Sequence, residues 1–234
     1  MKWQLAQSAR PLLAFRIQIF YTGLSLLGVR HVSRLLRDDG NTQSRDHAVR
    51  RIIMARLTSI TSKAQVAAED HAIVDAIVGS RGALQGPFTM FLHSPEIAGR
   101  VAHLGAYVRF EGSLDMRVRV LAAMTAAREF EAVYVWGAQT GGARRLGVPE
   151  STITAIREKH TRGMPPEDAQ IVEFTQQLLQ KHRVDDATFK AVQERFGNDG
   201  LIQLTGAIGY YSMLAMTVNA CELEAAPGAE VLKV

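Results

Sequence analysis

The sequence predicts an all-α fold. From Ala64 onward apolar residues recur at helical spacing almost without interruption, and no segment alternates apolar with polar residues as a half-buried strand would. The punctuation agrees: Ser94-Pro95-Glu96, Pro149-Glu150 and Pro165-Pro166-Glu167 each place residues favoured at helix starts ahead of an apolar run.

Taken in order, AQVAAEDHAIVDAIVG sets Val66, Ile73 and Ile77 on one side and ends at Gly79, after which Gly82, Gly86 and Pro87 make a loop. A second helix lies in HSPEIAGRVAHLGAYVRFEG, capped by Ser94, with Ile97, Val101, Leu104 and Val108 as its stripe. Ser113 is placed to cap a third, carrying Leu114, Val118, Leu121 and Ala122 into EFEAVYVWGAQTGGARRLG, which Gly147 closes. STITAIREKH follows, then a segment from Pro166 with Ile171, Phe174, Leu178 and Leu179, then DDATFKAVQERFG. The last run, DGLIQLTGAIGYYSMLAMTVNACELE, is apolar nearly all round and reads as a buried central or oligomer-facing helix.

A chain of 234 residues with 47% hydrophobic content suits one domain, or one domain with an appendage. The formal charge of +4 is unevenly placed. Residues 1–53 hold nine Lys/Arg against three Asp/Glu, a balance of +6, whereas residues 54–234 hold 18 basic and 20 acidic side chains, a balance of −2. The main body therefore offers no basic face for nucleic acid. The chain divides into a basic extension, 1–53, and a domain, 54–234. In the extension, Ile17 to Val29 is a short apolar run behind Lys2, Arg10 and Arg16. It is shorter than the roughly 20 residues a spanning helix needs, and no A-x-A cleavage signature follows. Three readings stay open: a targeting peptide, an amphipathic helix on a membrane surface, or an extension ahead of a natural start at Met54. Any membrane contact is confined to this segment, and a cytoplasmic location is the expectation. One cysteine, Cys221, excludes an intrachain disulfide, a Cys-based zinc site and a two-cysteine redox centre. No phosphate-binding glycine loop and no internal repeat occurs.

Residues 54–234 resemble the carboxymuconolactone decarboxylase-like family, which includes the alkylhydroperoxidase D-type proteins. The matching pieces are GPFTMFLHSPEIAGRVAHLGAYVRFEGSLDMRVRVLAAMTAARE, YVWGAQ, ARRLGVPESTITAIR and GYYSMLAMTVNACE, in family order. The resemblance implies an alkylhydroperoxidase D-like helical bundle that assembles into trimers or hexamers. It also implies a site. Peroxidase members carry C-x-x-C-x-x-x-H served by a glutamate twelve residues before the first cysteine, and decarboxylase-like members carry R-x-R-E-L followed by Y-E-W-x-x-H. Here the glutamate position is Val120, the cysteine positions are Ala132 and Val135, and the histidine position is Gln139. Positions 132, 135 and 139 share one helical face and should line one pocket wall. That wall is apolar apart from an amide, which can orient a substrate but cannot exchange a proton near neutral pH.

Other residues have two readings each. Tyr134 and Trp136 could bind an unsaturated ring acid or serve as core or interface aromatics. Glu131 and His93 are candidates for proton transfer, beside Glu129; the alternatives are an Arg128–Glu129 ion pair with Glu131 in solvent, and a histidine that hydrogen-bonds its loop. Arg109 could bind a carboxylate or a neighbouring subunit. The expected function is accordingly an enzyme of the decarboxylase-like branch, a lyase acting on a small cyclic or unsaturated organic acid without metal or bound cofactor. Tyr134, Trp136, Gln139, Val120 and Val135 would form its substrate site. The other reading is a non-catalytic homo-oligomer that binds a hydrophobic ligand or protein partner. Thiol peroxidase activity is not expected of Cys221, which has no second thiol in the chain and two glutamates, Glu222 and Glu224, close by.

Overall fold

The structure, a computed structural model, describes residues 55–232, so the basic extension lies outside the described residues. Eight helices and no strand occur among them. They are α1 (His71–Arg81), α2 (Phe88–Phe91), α3 (Pro95–Ala106), α4 (Met116–Glu129), α5 (Val133–Arg145), α6 (Glu150–Arg157), α7 (Pro166–Gln176) and α8 (Asp186–Ala220). Short π turns, Tyr107–Glu111 and Gln177–Lys181, extend α3 and α7. The predicted all-helical class is the observed one.

Helix α4 is the axis of the bundle. Every residue from Val120 to Ala127 is buried, so this helix is wrapped on all sides, chiefly by α5, α7 and α8. Its alanines let those neighbours approach closely. Its N-cap is Asp115, whose carboxylate accepts from the Arg117 amide at 2.7 Å. The expected cap, Ser113, instead accepts from the Gln203 amide at 2.9 Å, because the chain turns toward α8 before the helix begins.

Two further boundaries differ from the sequence pattern. The first helix starts at His71 rather than Ala64, because Gln65 reaches back to accept from the Thr61 and Ser62 amides and closes a 3-10 turn. In α3 the stripe Ile97, Val101, Leu104 and Val108 is split. Val101 and Val108 are buried, but Ile97 and Leu104 are exposed, since the face turned inward is the small one, Ala98, Val101, Ala102 and Gly105. The two final predicted helices form one run broken at Gly197, where φ is +67° and ψ −177°. Most apolar residues of the later part are covered within the chain itself, including Leu204, Ile208, Tyr210 and Val218, while Ile202 and Met216 face outward. The run is long and apolar enough to cross a membrane by composition, and burial in the bundle accounts for that composition.

After α8 the chain folds back along α5. A Cβ on Gly137 would stand 2.9 Å from the Ala229 Cβ and 3.1 Å from the Glu230 carbonyl, so only glycine lets the tail lie this close. Glu230 pairs with Arg144 at 2.6 Å and with Arg157, and Leu232 is sealed into the core.

Candidate functional site

The positions that family resemblance marks for chemistry lie on α4 (Val120), at the N-cap of α5 (Ala132) and on α5 itself (Val135 and Gln139). Val120 is 6% exposed, Ala132 0% and Val135 2%; Gln139 is half-buried on the same side of α5. Ala132 is the N-cap of α5, and its amide donates to the Ala127 carbonyl at 2.8 Å. Three buried apolar side chains thus stand in place of acid and thiols, and no proton donor is among them. Trp136 is fully enclosed. The Arg157 guanidinium lies 5.4 Å from its ring centre, and the indole NH has no acceptor. Its contact is with the protein rather than with a cavity.

Tyr134 leaves the core in a different direction. Its ring packs on Gly86, where an added Cβ would meet the hydroxyl oxygen at 2.5 Å and where φ is +61°. Partial burial there pushes the phenol above its usual value. Tyr134 and Glu131 line one cleft of about 410 Å³, closed on the other side by the end of α8 and the first tail residues, Val218 to Ala225. Glu222 and Glu224 also line it, so the cleft holds three carboxylates. Glu131 and Glu222 both have left-handed backbones, φ +53° and +52°, a strained geometry for a side chain other than Gly or Asn. Glu131 faces solvent and meets Arg128 at 3.4 Å; Glu222 meets Arg56 at 2.6 Å.

The remaining candidates are held by structural partners. Glu129 is paired with Lys159 at 3.5 Å and accepts from Gln180 at 2.9 Å, so the expected Arg128–Glu129 pair is replaced by Arg128–Glu131. The turn at Glu131 brings its carboxylate, instead of that of Glu129, round to Arg128. His93 is exposed, with Nε2 2.9 Å from the Thr58 carbonyl oxygen, and is absent from the cleft lining. Cys221, half-buried at the C-terminus of α8, is the cap residue there. No group of three or more His, Cys, Asp or Glu side chains could hold a metal among the described residues. The structure therefore gathers Glu131 and Tyr134, keeps Val120, Val135 and Trp136 inside the packing, and leaves His93 elsewhere. A second concavity, between the π turn after α3 and α8, holds Arg119, a residue that sequence reasoning did not single out. Its arginine type is legible as the second arginine of RVRVL, but the groove is not, because the groove walls come from segments about 90 positions apart.

No protein-family model and no curated protein matches the chain. Solved structures do. A peroxidase-related protein from Ralstonia eutropha JMP134, described as an alkylhydroperoxidase AhpD core, superposes with a TM-score of 0.62 at 13% identity, over 75% of this chain and 94% of that one. A peroxidase-related protein from Silicibacter sp. TM1040 gives 0.60 at 9% identity, over 75% and 93%. The debrominase Bmp8, as a cysteine-to-alanine variant bound to 2,3,4-tribromopyrrole, gives 0.59 at 14% identity, over 74% and 94%. Identities this low establish a shared fold, alkylhydroperoxidase D-like, and leave activity open.

Proposed function

We propose that this chain, built on the alkylhydroperoxidase D-like fold, is a ligand-binding protein that shares the frame of its structural neighbours and lacks the thiol chemistry that its family resemblance implies. One observation carries the reading: Val120, Ala132 and Val135, the positions where family resemblance expects the glutamate and both cysteines, are each apolar and buried. A peroxidatic cycle needs a thiolate and a resolving thiol, and a decarboxylating site needs a proton donor beside its substrate. Neither set is present there. The homo-oligomer, trimer or hexamer, remains part of the proposal, supported by the outward-facing Ile97 and Met216. The test has two parts. Purified full-length chain should consume no peroxide in a thiol-coupled assay, with Cys221→Ser matching the wild type. A thermal-shift screen of small apolar ligands should yield stabilisation without turnover; turnover of any screened compound would overturn the reading.

The alternative, a cofactor-independent lyase, is favoured by one feature: Glu131 and Tyr134 share a cleft. Arg128 and Arg56 offset two of the three carboxylates, but no cation lines the cleft itself, so nothing in its lining favours an anionic acid over a neutral one. Glu131→Gln separates the two readings, because a lyase using Glu131 loses its rate and a binding protein keeps its ligand affinity.

A further inference from the structure

Arginines on one flank of the bundle have no acidic partner. Arg81, Arg109 and Arg119 lie within electrostatic reach of the buried Tyr211, and none forms an ion pair among the described residues. Two of them rest on rings, Arg81 over Phe88 at 4.2 Å and Arg109 over Phe110 at 4.8 Å. Arg119 has neither ring nor carboxylate as a partner among the described residues. Its Nη1 donates to the Val108 carbonyl at 2.7 Å, while Nε is shielded from water and has no acceptor. Nη2 makes no hydrogen bond among the described residues, and with Nε closed off even to water it is the nitrogen left to meet an anion in the groove.

Arg119 lines a groove of about 230 Å³ whose other walls are mostly apolar: Leu104, Tyr107, Leu114, Ile202 and Ala207. Asp199 also lines it, but its carboxylate already accepts from Gln203 at 2.6 Å and from Ser113 at 3.5 Å. An apolar trough with one unused cation fits a ligand with an apolar body and one negative charge. A dianion such as a phosphate monoester would meet the Asp199 charge with only one arginine to offset it.

We infer that this groove binds a small amphipathic monocarboxylate, its carboxylate on Arg119 Nη2 and its apolar body along Leu104, Tyr107, Leu114 and Ile202. The inference rests on the ligand-binding reading above and gives that reading a site and a ligand class. The groove, lined by the middle of α8, is distinct from the cleft at Glu131, which is lined by the C-terminal end of that helix.

Calorimetric titration of the full chain with sodium octanoate, and with octanol as its uncharged counterpart, tests the inference. Octanoate should bind the wild type more tightly than octanol does. Arg119→Gln should weaken octanoate about tenfold or more and leave octanol unchanged. Gly206→Leu is the second variant: Gly206 lines the groove and an added Cβ there meets nothing within 4 Å, so the helix tolerates the side chain while the trough fills. It should weaken both ligands. Failure of octanoate to bind, or equal affinity in wild type and Arg119→Gln, overturns the site. So does a light-scattering result in which Ile202→Glu converts an oligomer to a monomer while octanoate stays unbound, since a second copy then occupies the groove. The two readings fail separately. Turnover of a screened compound removes the binding-protein reading and leaves the Arg119 site standing, whereas stabilisation by other ligands with no response to octanoate does the reverse.

Discussion

Two sets of arginines in this molecule are treated in opposite ways. On the side where α4, α6 and α7 meet and the tail returns, Arg117 lies against Asp168 at 2.6 Å, and Arg144 and Arg157 converge on Glu230, with Glu150 as a further partner of Arg144. On the flank formed by α3 and α8, Arg81, Arg109 and Arg119 meet rings and backbone carbonyls instead of carboxylates. The difference separates two uses of one residue type. An arginine that fastens the chain is met by an acid supplied by the chain, because a partly desolvated cation is costly unless paired. An arginine without such a partner is available to an anion from outside.

The comparison can be broken most forcefully at Asp168. Its side chain is 2% exposed, accepts both from Arg117 Nε at 3.1 Å and from Nη2 at 2.6 Å, and takes a third bond from Thr152 at 3.3 Å. Asp168→Ala should cost about 3–5 kcal/mol, the usual penalty for leaving one member of a buried pair alone, read from urea unfolding. A loss below about 1 kcal/mol would mean that the pairing is incidental.

Glu230 comes next. Its carboxylate is partly exposed and serves two arginines, so Glu230→Ala should cost about 1 kcal/mol and free the tail from Gly137. Limited proteolysis should then cut within residues 223–232 faster than in the wild type. Unchanged cleavage would show that Leu232, rather than the ion pairs, holds the tail.

The smallest effect sharpens the unpaired side. Burial raises the Tyr211 hydroxyl above its ordinary value of 10.0, and Arg109, Arg119 and Arg81 oppose that rise. A raised folded value means that the native state holds the proton more tightly than the unfolded chain. The resulting stability is complete below the unfolded value and is lost as pH climbs through the folded one. Urea midpoints measured from about pH 8 to about pH 11 should fall less steeply in Tyr211→Phe than in wild type, by under about 1 kcal/mol. Superimposable curves would remove the tyrosine from the account.

The helical class was legible because burial repeats along a helix with a fixed period, and that period is written in local sequence. α4 and the end of α8 could be read from it directly. Where a second signal competed, the local pattern was insufficient. Ser113 looks like a cap by type and position, yet Gln203, ninety residues away, engages it, and Asp115 caps the helix. Ile97 and Leu104 keep helical spacing but face outward, because the small residues beside them let α3 pack on its other side.

The candidate site divides the same way. The sequence by itself determined that positions 120, 132 and 135 carry no ionisable group, since residue identity settles what chemistry a side chain can do. It also determined that Cys221 has no partner thiol in the chain. Only the tertiary structure decided that Trp136 is enclosed, that Glu131 stands with Glu222 and Glu224, and that Arg119 lines a mostly apolar groove that it shares with Asp199. Those facts depend on which distant segments meet. Enclosure and ion pairing are properties of neighbours brought together by the fold, and no local period records them.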